Sequence, residues 1–135
     1  MREYEILEHT ADLKIKAYGK TKEELFLNIL KGMQDFLKAK IKKASQIKER
    51  KIKIKSPSLE MLLVDFLNEV NFLNETKKEI YFGGEIKIKD DKILEGKLFG
   101  KEVSHFEEDI KAVTYHDLKI KKENKIWEGV VLFDI

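Results

Sequence analysis

The last nine residues of the chain, WEGVVLFDI, place Asp134 and the terminal carboxylate of Ile135 side by side at the end of a strand-like run. Two anions at one strand end repel each other. A hard cation taking carboxylate oxygens would relieve that repulsion, and so would a nearby lysine. A second polar concentration, EHTAD, crowds Glu8, His9, Thr10 and Asp12 between two strand-like runs. Tight connections favour Gly, Asn or Asp, so this one is richer than turning requires. Its plain reading is a loop in which Thr10 and Asp12 cap local amides.

Two further positions have a chemical and a bland reading. Lys111 heads the segment KAVTYHDLKI, whose alternation puts Ile110, Ala112, Thr114 and His116 on one face and Lys111, Val113, Tyr115 and Asp117 on the other. A lone strand lysine most often protects a sheet edge. Asp65 and Glu69 are one helical turn apart and make a carboxylate pair, but on an otherwise apolar helix they read as its solvated side. His9, His105 and His116 are far apart in sequence and would form a metal cluster only if the fold gathered them.

The familiar catalytic signatures are missing. Gly83-Gly84 leads into a strand rather than a helix, so it is no phosphate-cradling loop. There is neither a Gly-x-Ser-x-Gly elbow nor a His-Glu-x-x-His pair. With no cysteines, disulfides, thiolate–zinc sites and cysteine nucleophiles are excluded.

The elements that must position these groups follow from periodicity. Residues 4–8 and 13–19 read as short strands. Thr21 opens a helix with Glu24 placed to reach back in a capping box, and Leu25, Ile29, Met33, Phe36 and Leu37 form its apolar stripe. A lysine-rich strand follows with Ile47, Ile52 and Ile54 as its apolar residues. Ser56-Pro57 marks a second helix, Ser as N-cap and Pro at the first helical position, buried through Leu59, Leu63, Phe66, Val70 and Leu73. Two hairpins turning at Asp90-Asp91 and near Glu123-Asn124, joined by a polar loop from Lys101 to Glu108, complete the chain. The expected fold is α+β: one domain over residues 1–135, about seven mostly antiparallel strands and two helices packed on the apolar side.

The chain has 135 residues, of which 42% are hydrophobic and 39% charged, enough for one soluble domain with a real core. Twenty-seven basic residues against 25 acidic ones leave a net charge of +2. That balance argues against strong direct nucleic-acid binding. With no signal-like start and no apolar run long enough to span a bilayer, the expected location is the cytoplasm.

Four segments, YEILEHTADLKIKAYGKTKEEL, LLVDFLNEVNFL, KAVTYHDLKI and VVLFDI, resemble the archease family in order and spacing across essentially the whole chain. The combination of HTAD with KAVTYH is the specific part. Archeases are small accessory proteins of the RNA-splicing ligase RtcB, which joins tRNA exon halves. They promote guanylylation of its active-site histidine by GTP and allow repeated turnover. The resemblance implies that role here, a non-enzymatic one. It implies a divalent metal held by Asp12, Asp134 and the carboxylate of Ile135, with Ca²⁺ favoured and Mg²⁺ or Mn²⁺ compatible, and an activity-linked Lys111. It assigns no role to Glu8, His9 or His105. A chaperone-like modulator of a tRNA-modifying enzyme, such as a cytosine methyltransferase, is the rival expectation. A small metal-dependent hydrolase is a third, weakened by the lack of an evident base.

Overall fold

The structure, a computed structural model, describes residues 2–8 and 12–135. Its elements run β1 (Tyr4–Glu8), β2 (Asp12–Gly19), α1 (Lys22–Phe36), β3 (Ala39–Ile41), β4 (Lys48–Lys55), α2 (Leu59–Lys77), β5 (Glu79–Lys89), β6 (Ile93–Phe106), β7 (Ala112–Glu123) and β8 (Ile126–Asp134). The α+β class, the antiparallel pairing and the two helices are as the periodicity predicts. The strands form two sheets: β1-β2-β8-β7, and a second built on the long β6, with β3 and β4 along one edge and β5 on the other.

Both helices lie between the sheets. α1 packs on β1, β2 and β8 of the first sheet and on β5 of the second, while α2 packs on β7 and on β4, β5 and β6. A helix in such a layer must be apolar over most of its circumference. Accordingly Leu62, Leu63, Val64, Phe66, Leu67 and Val70 of α2 are all buried. Phe26 of α1 stacks against Phe66 of α2 with centroids 6.0 Å apart. β2 shows the complementary pattern, Leu13, Ile15 and Ala17 inward and Lys14 and Lys16 outward.

Local chemistry sets the boundaries. Thr21 caps α1 by accepting from Glu24 N at 3.0 Å, and Glu24 Oε1 in turn accepts from Lys20 N at 3.2 Å. The cap of α2 is Ser58, accepting from Met61 N at 3.2 Å, and not the expected Ser56. Ser56 is drawn away: its amide donates to Lys92 O at 2.9 Å and its hydroxyl to Asp65 Oδ2 at 2.6 Å. The two hairpin turns hold Asp90 and Asp91, then Asn124 and Lys125, in the left-handed region, the geometry a tight hairpin needs to match strand twist.

Two expectations, about seven strands and a polar loop from Lys101, fail for one reason. The polar loop starting at Lys101 is instead the far half of β6, which runs to Phe106 because β3 supplies it with a partner: Ala39 opposite Phe106, Lys40 opposite His105 and Ile41 opposite Val103. A three-residue strand following a helix carries no periodicity of its own, so neither half was legible alone. Ile47, expected to face inward, precedes β4 and is 61% exposed.

Candidate metal centre

The first sheet gathers the chemistry. β8 lies between β2 and β7, and its register sets Asp134 opposite Asp12 on one side and opposite Ala112 on the other. Lys111, one residue before β7, donates its backbone N–H to Asp134 O at 2.8 Å. Asp12, Asp134, Ile135 and Lys111, widely separated in sequence, thus share one end of one sheet.

Directly opposed residues in an antiparallel pair project from the same face with Cβ atoms about 5 Å apart, and like charges there are unfavourable. Asp134 is exposed and Asp12 half-buried. Among the described residues, Asp12 Oδ1 is a buried side-chain oxygen without a hydrogen-bond partner. No ion pair among them involves Asp12 or Asp134. A buried carboxylate oxygen with no donor and a second carboxylate facing it is a costly arrangement, and a cation at the strand end would relieve it. The donor set is all oxygen, which suits Ca²⁺, Mg²⁺ or Mn²⁺ rather than Zn²⁺. No group of three or more His, Asp or Glu side chains suited to a metal occurs among the described residues. Ile135, next after Asp134, is half-buried and packs its side chain against the core.

Lys111 is held by α2. Asn68 Oδ1 accepts from Val113 N at 3.0 Å and its Nδ2 donates to Val113 O at 3.4 Å, while Asn71 Nδ2 donates to Ile110 O at 3.0 Å. These asparagines fix the backbone on both sides of Lys111, whose own side chain is exposed. The expected alternation through this segment is overturned: Ile110 and Val113 are both in the core, because the strand begins only at Ala112. It breaks again after Thr114. The register jumps from Thr114 opposite Leu132 to Lys119 opposite Val130, so Tyr115, His116, Asp117 and Leu118 bulge from the edge, with Asp117 left-handed.

The asparagines were the functional residues missed in the sequence. Their signal was present, since Asn68, Asn71 and Asn74 recur every third position on an otherwise apolar helix. Asp65 is not simply solvated either: it accepts from Ser56 and lies beside Tyr115.

The histidines are not gathered. His105 sits at the end of β6 in the second sheet and contacts Ser104 Oγ through Nδ1 at 3.1 Å, whereas His116 is in the bulge of β7, 3.5 Å from the Asp117 carboxylate. His9 and Thr10 lie outside the described residues, as does the Glu8 side chain.

Fold and site define a small two-sheet α+β protein with a carboxylate pair at a strand end. The sequence profile of the Archease protein family (MTH1598/TM1083) matches residues 4–135, and the chain belongs to that family. It is 38% identical over 144 residues to protein archease of Methanosarcina mazei, covering 99% of this chain and 97% of the relative. Against protein archease of Pyrococcus furiosus the identity is 36% over 129 residues, with 90% of each chain covered. Among solved structures, the solution structure of protein 1598 of Methanobacterium thermoautotrophicum superposes with a TM-score of 0.72 at 28% identity, covering 100% of both chains. The crystal structure of an archease described as a possible chaperone, from Thermotoga maritima, gives a TM-score of 0.64 at 27% identity, covering 100% of this chain and 98% of that one.

Proposed function

We propose that the protein is an accessory factor of an RtcB-type RNA-splicing ligase in the cytoplasm. It promotes GTP-dependent guanylylation of the ligase histidine and repeated turnover without itself being an enzyme. The observation that carries this reading is the facing pair Asp12–Asp134, with an Asp12 oxygen that has no hydrogen-bond partner among the described residues. In this reading Asp12, Asp134 and the Ile135 carboxylate hold a divalent ion. When bound, that ion supplies positive charge that orders and neutralises phosphate oxygens.

The chain's own residues do the positioning. Asp12 and Asp134 present two fixed oxygens, and the Ile135 side chain locks the third. Lys111, clamped through its neighbours by Asn68 and Asn71, offers an ammonium to phosphate or to an acidic group of the ligase. This is charge stabilisation and alignment of a partner's reaction. The test is ligase guanylylation with GTP and metal, with this protein at substoichiometric amounts. The intact protein should stimulate, and Asp12→Ala and Asp134→Ala should fold but not stimulate. Normal stimulation by both variants would sink the reading.

The Thermotoga relative is described as a possible chaperone, and a chaperone-like role supplies a second reading, in which the client that the protein binds and solubilises is a tRNA-modifying enzyme. Such a role should survive loss of Asp12 and Asp134, so the same variants separate the two.

A further inference from the structure

The functional reading absorbs Lys111 but gives no role to Tyr115 and His116, of which Tyr115 meets Asp65 of α2 at the surface. Tyr115 is 53% exposed and His116 stands out from the β7 bulge. Across from them, the outward stripe of α2 carries Met61, Asp65, Asn68 and Phe72 at helical spacing. Met61 is 37% exposed and Phe72 57%. Asn68 and Asn71 bond α2 to the 110–113 segment, where Ala112 faces Asp134, so the Asn68–Phe72 end of the stripe lies toward the carboxylate end of the sheet. Bulges of this kind re-aim side chains at functional edges.

The helical part of this face is acidic, with Lys111 as the cation at its edge. Residues 59–76 include Glu60, Asp65, Glu69 and Glu75 and neither lysine nor arginine, in a chain whose net charge is +2. On the outer face of the second sheet, by contrast, the signs are mixed: Lys53 and Lys89 both pair with Glu95, and Lys97 with Glu49. Acidic residues around exposed Phe, Tyr and Met repel a phosphate backbone and attract a basic protein surface; aromatic residues and methionine are the side chains enriched in such contacts.

We propose that the outward stripe of α2 and the β7 bulge dock a protein whose surface is basic with apolar side chains. This deepens the accessory-factor reading and rests on it, since an enzyme that handles RNA carries basic surface. Docking here would set the carboxylate end against the partner.

Purified RtcB-type ligase is titrated with the intact protein, with Phe72→Ala/Tyr115→Ala, and with Glu69→Lys/Glu75→Lys. Phe72, Glu75 and Tyr115 are exposed and Glu69 half-buried, and unchanged melting temperatures check that the variants fold. Each double variant should bind at least about 10-fold more weakly, and binding of the intact protein should weaken with added salt. Binding within twofold of the intact protein for both variants overturns the docking face. If Asp12→Asn still loses stimulation in that case, the accessory reading survives. No ligase binding by the intact protein overturns both. Binding of single-stranded RNA that the Phe72→Ala/Tyr115→Ala variant loses would overturn a protein occupant in favour of nucleic acid.

Discussion

Asn68 closes both backbone groups of Val113, accepting from its N–H at 3.0 Å and donating to its C=O at 3.4 Å. One side chain on a helix thereby acts as the missing strand beside β7, two residues from Lys111.

Replacing Asn68 with alanine should leave a buried N–H without a partner, at a cost of about 1–3 kcal/mol. We expect a melting temperature lower by several degrees and faster amide exchange at Lys111 and Val113 than at β2 amides. Equal exchange across the sheet would show that Asn68 is not the clamp.

Divalent ions should stabilise the protein through the carboxylate pair. With Ca²⁺ at about 100 times its dissociation constant, linkage predicts a gain of about 2.7 kcal/mol, read as a rise in melting temperature over an EDTA-treated sample. In Asp12→Asn the rise should vanish. Without metal the variant should be as stable as the parent or slightly more so, because a like-charge pair has been relieved. A variant that keeps the full Ca²⁺ shift would show that the ion binds elsewhere.

Appending one glycine after Ile135 moves the terminal carboxylate without altering any side chain. Ca²⁺ affinity, measured by calorimetry, should fall about 10-fold or more, as expected for a lost donor. Unchanged affinity would remove Ile135 from the site.

Away from the site, Arg50 grips Glu79 with two bonds of 2.7 Å, and Tyr81 Oη adds a third at 2.8 Å. The Glu79 side chain is 2% exposed. Arg50, helped by Tyr81, holds its carboxyl below the usual value despite burial. A depressed folded-state value means the unfolded chain binds more protons, so this contribution is complete above the unfolded value near 4.5 and is lost as pH falls through the folded one. Arg50→Ala strands a buried carboxylate and should cost about 3 kcal/mol at neutral pH. In the variant, burial without its cation raises the Glu79 carboxyl, so the folded state takes up the proton first and the deficit relative to the parent should shrink as pH falls. Urea unfolding between about pH 3 and 7 measures both, and identical profiles would contradict the assignment.

Much of this architecture was legible because it rests on period and caps. The apolar stripe of α1, the Thr21 cap, both hairpin turns and the inward set of β2 can be read from spacing alone. What could not be read depends on partners distant in sequence. β3 exists because β6 is there to receive it, and Ser56 abandons the cap because Asp65 is within reach. The meeting of Asp12 with Asp134 is a matter of register between strands more than a hundred residues apart. The resemblance named those two residues, but only the register gives the physical reason they belong together. The role of Asn68 and Asn71 was open to notice and went unread.

The order of strands has a consequence for biosynthesis. β8 is translated after both strands that flank it, yet it occupies an interior position in its sheet, hydrogen-bonded to β2 on one side and β7 on the other. While residues 126–134 are still inside the ribosome, the β1–β2 hairpin and β7 wait with an open gap between them. The two aspartates cannot meet during that interval. A nascent or prematurely terminated chain therefore lacks the facing pair, which forms in the same step that seals the sheet.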